Sequence, residues 1–93
     1  MGDRVTVKLG PISVEDAKAY FLQHSAFRGS FNLAIAAREG DIVHGVIAFE
    51  CDGFQATKRQ ISTDGNAQIG SLLYGAAVRA AMALGYGALH FGE

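Results

Sequence analysis

The sequence predicts an α+β domain in which two helices pack on a mixed, mainly antiparallel sheet, in the order β-α-β-β-β-α-β. Three observations carry this. Apolar residues at Ile69, Leu72, Leu73, Ala76, Ala77, Ala80, Ala81 and Leu84 recur at three- and four-residue intervals, the signature of a long helix with an alanine-rich face. Small side chains let such a helix lie close to a flat surface, so its partner is a sheet. Two aliphatic runs, 31–38 and 42–49, flank Glu39, Gly40 and Asp41, a connection with the composition of a hairpin turn. Near the start, Val5, Val7 and Leu9 alternate with Arg4, Thr6 and Lys8, the period of a strand with one buried face.

In chain order, Gly10 and Pro11 end the first strand. Ser13 then stands three residues before Asp16, close to a capping box, and Val14, Ala17, Tyr20, Phe21 and His24 follow at helical spacing, which predicts a helix over 13–25. A loop containing Arg28 leads to the hairpin, in whose second strand Gly45 implies a bulge or the close approach of another group. After a turn at Cys51, Asp52 and Gly53, residues 54–63 read as a more polar strand with one wet face or an edge position. The long helix covers 66–84 and stops at Gly85; Ala88, Leu89, His90 and Phe91 form a short last strand.

Ninety-three residues, 49% of them hydrophobic, make one domain near the lower end of what buries a self-sufficient core, so a homo-oligomer is expected. The C-terminal part of the sheet, with its short last strand, is the expected contact. Eight basic and nine acidic side chains without a charged block point to neither nucleic acid nor an anionic membrane surface. Cys51 stands alone, which excludes an internal disulfide, and without a Cys/His cluster no metal site is expected. A reduced, cytoplasmic setting fits. The N-terminus lacks the apolar core of a signal peptide, and no later apolar run is expected to reach membrane-spanning length. Met1, Gly2 and Thr6 formally fit the loose myristoylation pattern.

The entry to the long helix carries the chemistry. Asp64 and Asn66 are cap residues, and Gly65 and Gly70 allow close backbone approach. The first-turn N–H groups, with the helix dipole behind them, suit an anion such as a pyrophosphate. Any helix that follows a strand also needs a turn and a cap, and that simpler reading accommodates the same residues.

The segment STDGNAQIGSLLYGAAVRAAMALGYGALHF, residues 62–91, resembles the acyl-coenzyme-A-binding part of reduced GNAT-like N-acyltransferases, found often on phages and mobile elements. The resemblance implies that Asp64, Gly65, Asn66, Gln68, Ile69, Gly70 and Ser71 hold the pyrophosphate of acetyl-coenzyme A or another acyl-coenzyme A. It implies also that splayed strands beside the helix take the pantetheine arm, and that an amine is the acceptor. Two departures stand out. The family signature Gln/Arg-x-x-Gly-x-Gly/Ala meets Gly65 in its first position and Gln68 in place of its first glycine, and the family domain continues with a further helix and strands beyond the equivalent of Ala88–Phe91.

Acyl transfer to an amine needs a base and a proton source for the departing thiolate. Glu50 and His90 are the candidate bases and Tyr86 the candidate acid; Tyr74 at helical spacing reads as packing, and His24 and His44 as ordinary packing or solvent-facing residues. The strand 54–63, where many family members place an acidic base, has only Lys58 and Arg59 as charged residues. Two functions follow: an acyl-coenzyme-A-dependent N-acyltransferase, completed by oligomerisation, or an inactive GNAT-like module that binds and modulates another protein, such as a phage-encoded inhibitor of a host protein.

Overall fold

The computed structural model describes residues 6–24 and 30–91. Its elements are β1 (Lys8–Pro11), α1 (Val14–His24), β2 (Leu33–Glu39), β3 (Ile42–Cys51), β4 (Gln55–Thr63), α2 (Ala67–Leu84) and β5 (Ala88–His90), in the predicted order. The sheet runs β1-β2-β3-β4-β5; neighbours are antiparallel except β4 and β5, which α2 joins as a crossover and which are parallel.

Alternation along the central strands divides the core in two. Ala34 and Ala36 of β2 with Val46 and Ala48 of β3 face α1, where they meet Ala17, Tyr20, Phe21 and Phe31. Ile35, Ala37, Ile47 and Phe49 face α2 and meet Ile69, Leu73, Ala76 and Ala77. β2 and β3 are thus buried on both faces, which explains why 31–38 and 42–49 read as nearly continuous apolar runs.

Each helix is ended by its own local chemistry. The Ser13 hydroxyl accepts the Asp16 N–H at 3.1 Å, and at the far end of α1 His24 Nδ1–H donates to the Tyr20 carbonyl at 3.0 Å. Asn66 caps α2, its side chain accepting the Gln68 N–H. Gly85, at φ 84°, takes the left-handed conformation that lets the chain double back on the Ala81 and Met82 carbonyls. The buried stripe of α2 is Ile69, Leu73, Ala76, Ala77 and Ala81, whereas Leu72 and Leu84, expected on the same face, are exposed. At about 100° per residue Leu72 lies at the margin of the stripe, whereas Leu84 lies in line with it but is the last residue of the helix.

Other expectations need correction. Gly10 and Pro11 belong to β1 rather than ending it; β1 is an edge strand, where the missing proline N–H is tolerated. The part of that strand expected at 4–5, and Ser25 of the first helix, lie outside the described residues. β3 continues to Cys51, because the Asn32 side chain extends the ladder, its Nδ2–H donating to the Cys51 carbonyl and its Oδ1 accepting the Cys51 N–H. α2 reaches the length and mean hydropathy, 18 residues and 1.2, of a membrane span by composition alone, contrary to the expectation that no run does; in this fold it lies on the sheet.

β3 and β4 each carry a bulge. Ala37 faces Gly45 but Arg38 faces Val43, leaving His44 as the extra residue of β3; Ala48 faces Gln60 but Phe49 faces Lys58, leaving Arg59 as that of β4. The close approach expected at Gly45 is real: a Cβ there would stand 2.8 Å from Ile69 Cγ2, 3.1 Å from Leu73 Cδ1 and 3.1 Å from the Ser62 carbonyl. Gly45→Val should therefore lift the first turns of α2 from the sheet and cost about 1–3 kcal/mol by overpacking. Thermal unfolding should show a fall in Tm of several degrees, and an unchanged Tm would contradict the packing described.

Candidate functional site

The site is built where β4 gives way to α2. Thr63, Asp64, Gly65 and Asn66 form a self-bonded turn: Gly65 N–H donates to Thr63 Oγ1 at 3.2 Å, Asn66 N–H to Asp64 Oδ1 at 3.2 Å, and Gln68 N–H to Asn66 Oδ1 at 2.9 Å. Gly65, at φ 101°, holds a conformation that other residues rarely adopt. Ile69 directs its side chain into the core, whereas Ser71 is exposed and a Cβ on Gly70 would meet nothing within 4 Å. The surface at Gly70 is thus open, and the first turn of α2 carries no acidic residue.

Strand β4 leads into this turn with one flank open. Among the described residues β5 pairs with Gln55, Ala56 and Thr57, and no described strand lies beside residues 58–63 on the β5 side of β4. From the fork at Thr57 to Thr63 is six residue steps, about 20 Å of extended backbone.

At the fork, the register places Glu50 of β3, Thr57 of β4 and His90 of β5 in one row across the sheet. Their neighbours Cys51, Ala56 and Leu89 pack on the α2 side, so all three point to the other face. Glu50 is held by Arg59, whose Nε–H donates to Glu50 Oε1 at 2.9 Å and whose second nitrogen donates to the same oxygen. His90 Nε2 lies 3.0 Å from Gln55 Oε1, an atom that only accepts, so Nε2 carries the proton and Nδ1 keeps a free lone pair. Tyr86 lies across the sheet on the α2 side; a hydrogen bond with Cys51, then burial, keep its phenol above the ordinary value of 10.0. The structure therefore places Glu50 and His90 on one face, two strands apart with Thr57 between them, and Tyr86 on the other. Tyr74 also lies on the α2 side, where its ring meets Phe91 edge-on and its hydroxyl accepts from Lys58 Nζ at 3.0 Å.

His44, read from the sequence as ordinary, is the centre of a cluster behind the turn. Its Nδ1 lies 2.7 Å from Asp64 Oδ2 and its Nε2 3.0 Å from Glu39 Oε1, while its carbonyl accepts the Asp64 N–H and the Tyr20 hydroxyl. A sequence signal existed in Gly45, which marks a bulge without saying that the preceding side chain would turn toward residue 64. The bond to Asp64, followed by that to Glu39, raises the His44 pKa above 6.5, and the bond to His44 lowers that of Asp64 below 3.8. The Asp64 charge is thereby compensated beside the turn. Among the described residues, no group of three or more His, Cys, Asp or Glu is placed to hold a metal. A cleft of about 500 Å³, lined by Leu9, Leu33, Ile35, Ala80 and Leu84 with Arg79, lies toward the other end of α2 and is no part of this site.

This sheet, with its parallel β4–β5 pair and its crossover helix, has a GNAT-like fold. The chain is similar to the crystal structure of a ribosomal-protein-alanine N-acetyltransferase from Brucella melitensis biovar Abortus 2308. The TM-score is 0.63 over 90% of this chain and 77% of that one, at 16% sequence identity. No family model and no curated protein sequence matches the chain.

The cluster makes stability depend on pH in a defined sense. His44's contribution is complete below pH 6.5 and is lost as pH rises through its raised folded value; Asp64's is complete above 3.8 and is lost as pH falls through its lowered folded value. Tm should therefore be highest between these limits. In His44→Gln the alkaline decline should flatten, and a wild-type profile unaltered by that change would contradict the assignment.

Proposed function

We propose that this chain binds an acyl-coenzyme A along the open flank of β4 and transfers the acyl group to an amine. The observation that carries the reading is the fork: β5 pairs with β4 as far as Thr57, and the rest of β4, with no described strand on that side, leads to the N-terminus of α2. The turn 64–66 with Gln68, Ile69, Gly70 and Ser71 would hold the pyrophosphate through the helix dipole and the Gly65, Asn66 and Gln68 N–H groups, which the ligand would take over from the Thr63, Asp64 and Asn66 side chains, and the flank of β4 would take the pantetheine arm. When bound, the coenzyme supplies an acyl group activated as a thioester.

This chain's own part begins with the proton on the amine. His90 Nδ1 is free to accept it, because Gln55 holds the ring in the tautomer that leaves that nitrogen basic. The neutral amine nitrogen would then bond to the acyl carbon as the carbon–sulfur bond breaks, the proton that nitrogen sheds on becoming an amide balancing the one gained by the departing thiolate. Glu50, paired with Arg59, is left with an electrostatic role beside His90 rather than that of the base. Tyr86 stays protonated, as a thiolate acid must, but serves that step only if the thiolate is reached from the α2 side.

Calorimetric titration with acetyl-coenzyme A and free coenzyme A, followed by acetylation assays on small amines and peptides, tests the reading. Gly70→Leu should leave Tm unchanged or raised, since its Cβ meets nothing and leucine favours helix, yet weaken coenzyme binding about tenfold or more by covering the turn. Ser71→Ala should matter less. His90→Gln should leave binding intact and lower turnover by about 10²-fold or more. Absence of coenzyme binding at millimolar concentration would overturn the reading in favour of a protein-binding module.

A further inference from the structure

The hydrogen bonds of His44 do not stop at its two carboxylates. Asp64 takes the ring with one oxygen and the Asn66 N–H with the other, and Asn66 in turn takes the Gln68 N–H in the first turn of α2. An unbroken chain of hydrogen bonds thus runs from the imidazole to the helix N-terminus. The backbone doubles it: His44 is the bulge residue of β3, and its carbonyl receives the Asp64 N–H at 2.9 Å and the Tyr20 hydroxyl at 3.2 Å.

Resting on the acyl-coenzyme-A reading, we propose that His44 is the positioning residue of the β4–α2 turn. Its ring, held between Asp64 and Glu39, sets the turn and through it the affinity of the α2 N-terminus for the anionic end of the coenzyme.

The physical reason is a count of protons. Both ring nitrogens face carboxylate oxygens, which only accept, so the imidazolium satisfies both and the neutral ring satisfies one. Loss of the proton sets a nitrogen lone pair against a carboxylate and leaves an uncompensated negative charge on Asp64 beside the anion site. Each consequence disfavours a polyanionic ligand. The titratable groups that meet the ring act in the same sense: Glu39 from the hairpin and Asp64 from the turn are acidic. From α1, Tyr20 is kept neutral by burial, with the Asp64 charge adding to the effect, and His24 stacks on its ring at 4.0 Å. Coenzyme affinity is therefore highest while His44 is protonated and falls as pH rises through its titration.

The test uses the whole chain and free coenzyme A. The wild-type dissociation constant should increase about fivefold or more across the His44 titration, followed by the ring resonances in NMR spectra. In ligand-free protein, the amide shifts of Gly65, Asn66 and Gln68 should move with the same midpoint, a readout that a merely structural histidine would not produce. His44→Gln should bind weakly at every pH with a flat profile. Asp64→Asn, which removes the charge but keeps an acceptor oxygen, should flatten the profile, since loss of the His44 proton then uncovers no charge beside the turn. Affinity that ignores the His44 titration, or turn amides that do not follow it, would overturn the proposal. If the amides follow His44 but no coenzyme binds at any pH, the acyl-coenzyme-A reading falls, while the shared midpoint still establishes His44's hold on the turn.

Discussion

The contact that the rest of the molecule depends on is the seating of α2 on β3 at Gly45. A side chain at that position would collide with Ile69, Leu73 and the Ser62 carbonyl, so the helix lies at a separation that only glycine permits. With only Asp64, Gly65 and Asn66 between β4 and α2, this seating also decides where the helix N-terminus stands relative to the end of β4. Eighteen residues at 1.5 Å then carry the chain about 27 Å back along the sheet. The chain re-enters beside Gln55 rather than at the middle of β4, and β5 ends after three residues. The fork and the open flank are consequences of that geometry.

Alanine makes the two-sided burial possible. Ala34, Ala36 and Ala48 on one face, with Ala37 on the other, keep the central strands thin, while Phe21, Phe49, Ile47, Leu73 and Val46 supply the largest fully buried side chains. No polar or charged side chain among the described residues is fully buried. The charged groups meet instead at the rim, as Glu50 with Arg59 and as His44 between Asp64 and Glu39. Exposed pairs of this kind add little stability one at a time. Their effect is to orient: Arg59 engages Glu50, and His44 ties the turn to the hairpin.

The same sheet separates the groups that the proposed acyl transfer would use. His90 and Glu50 stand in one row on the face away from α2, and Tyr86 stands with Cys51 on the other. His90 retains a free basic nitrogen because its neighbour across the parallel pair is a glutamine oxygen, whereas both ring nitrogens of His44 face carboxylates. Two histidines on one sheet thus have different capacities: one is able to take a proton, and the other is stabilised by keeping one.

Local patterns in the sequence were sufficient for the elements and their order, because periodicity, caps and turn residues act over a few positions. The Ala-rich stripe of α2, the Asn66 and Gly85 ends of that helix, the hairpin at Glu39–Asp41 and the close approach at Gly45 were all legible in this way. Tertiary structure alone decided what those residues meet. The pairing of residue 50 with residue 59, of residue 90 with residue 55, and of residue 44 with residue 64 depends on strand register and on two bulges, each of which redirects a side chain by one residue. Register is set by the packing of both helices on both faces at once, so its outcome is written in no single stretch of the chain.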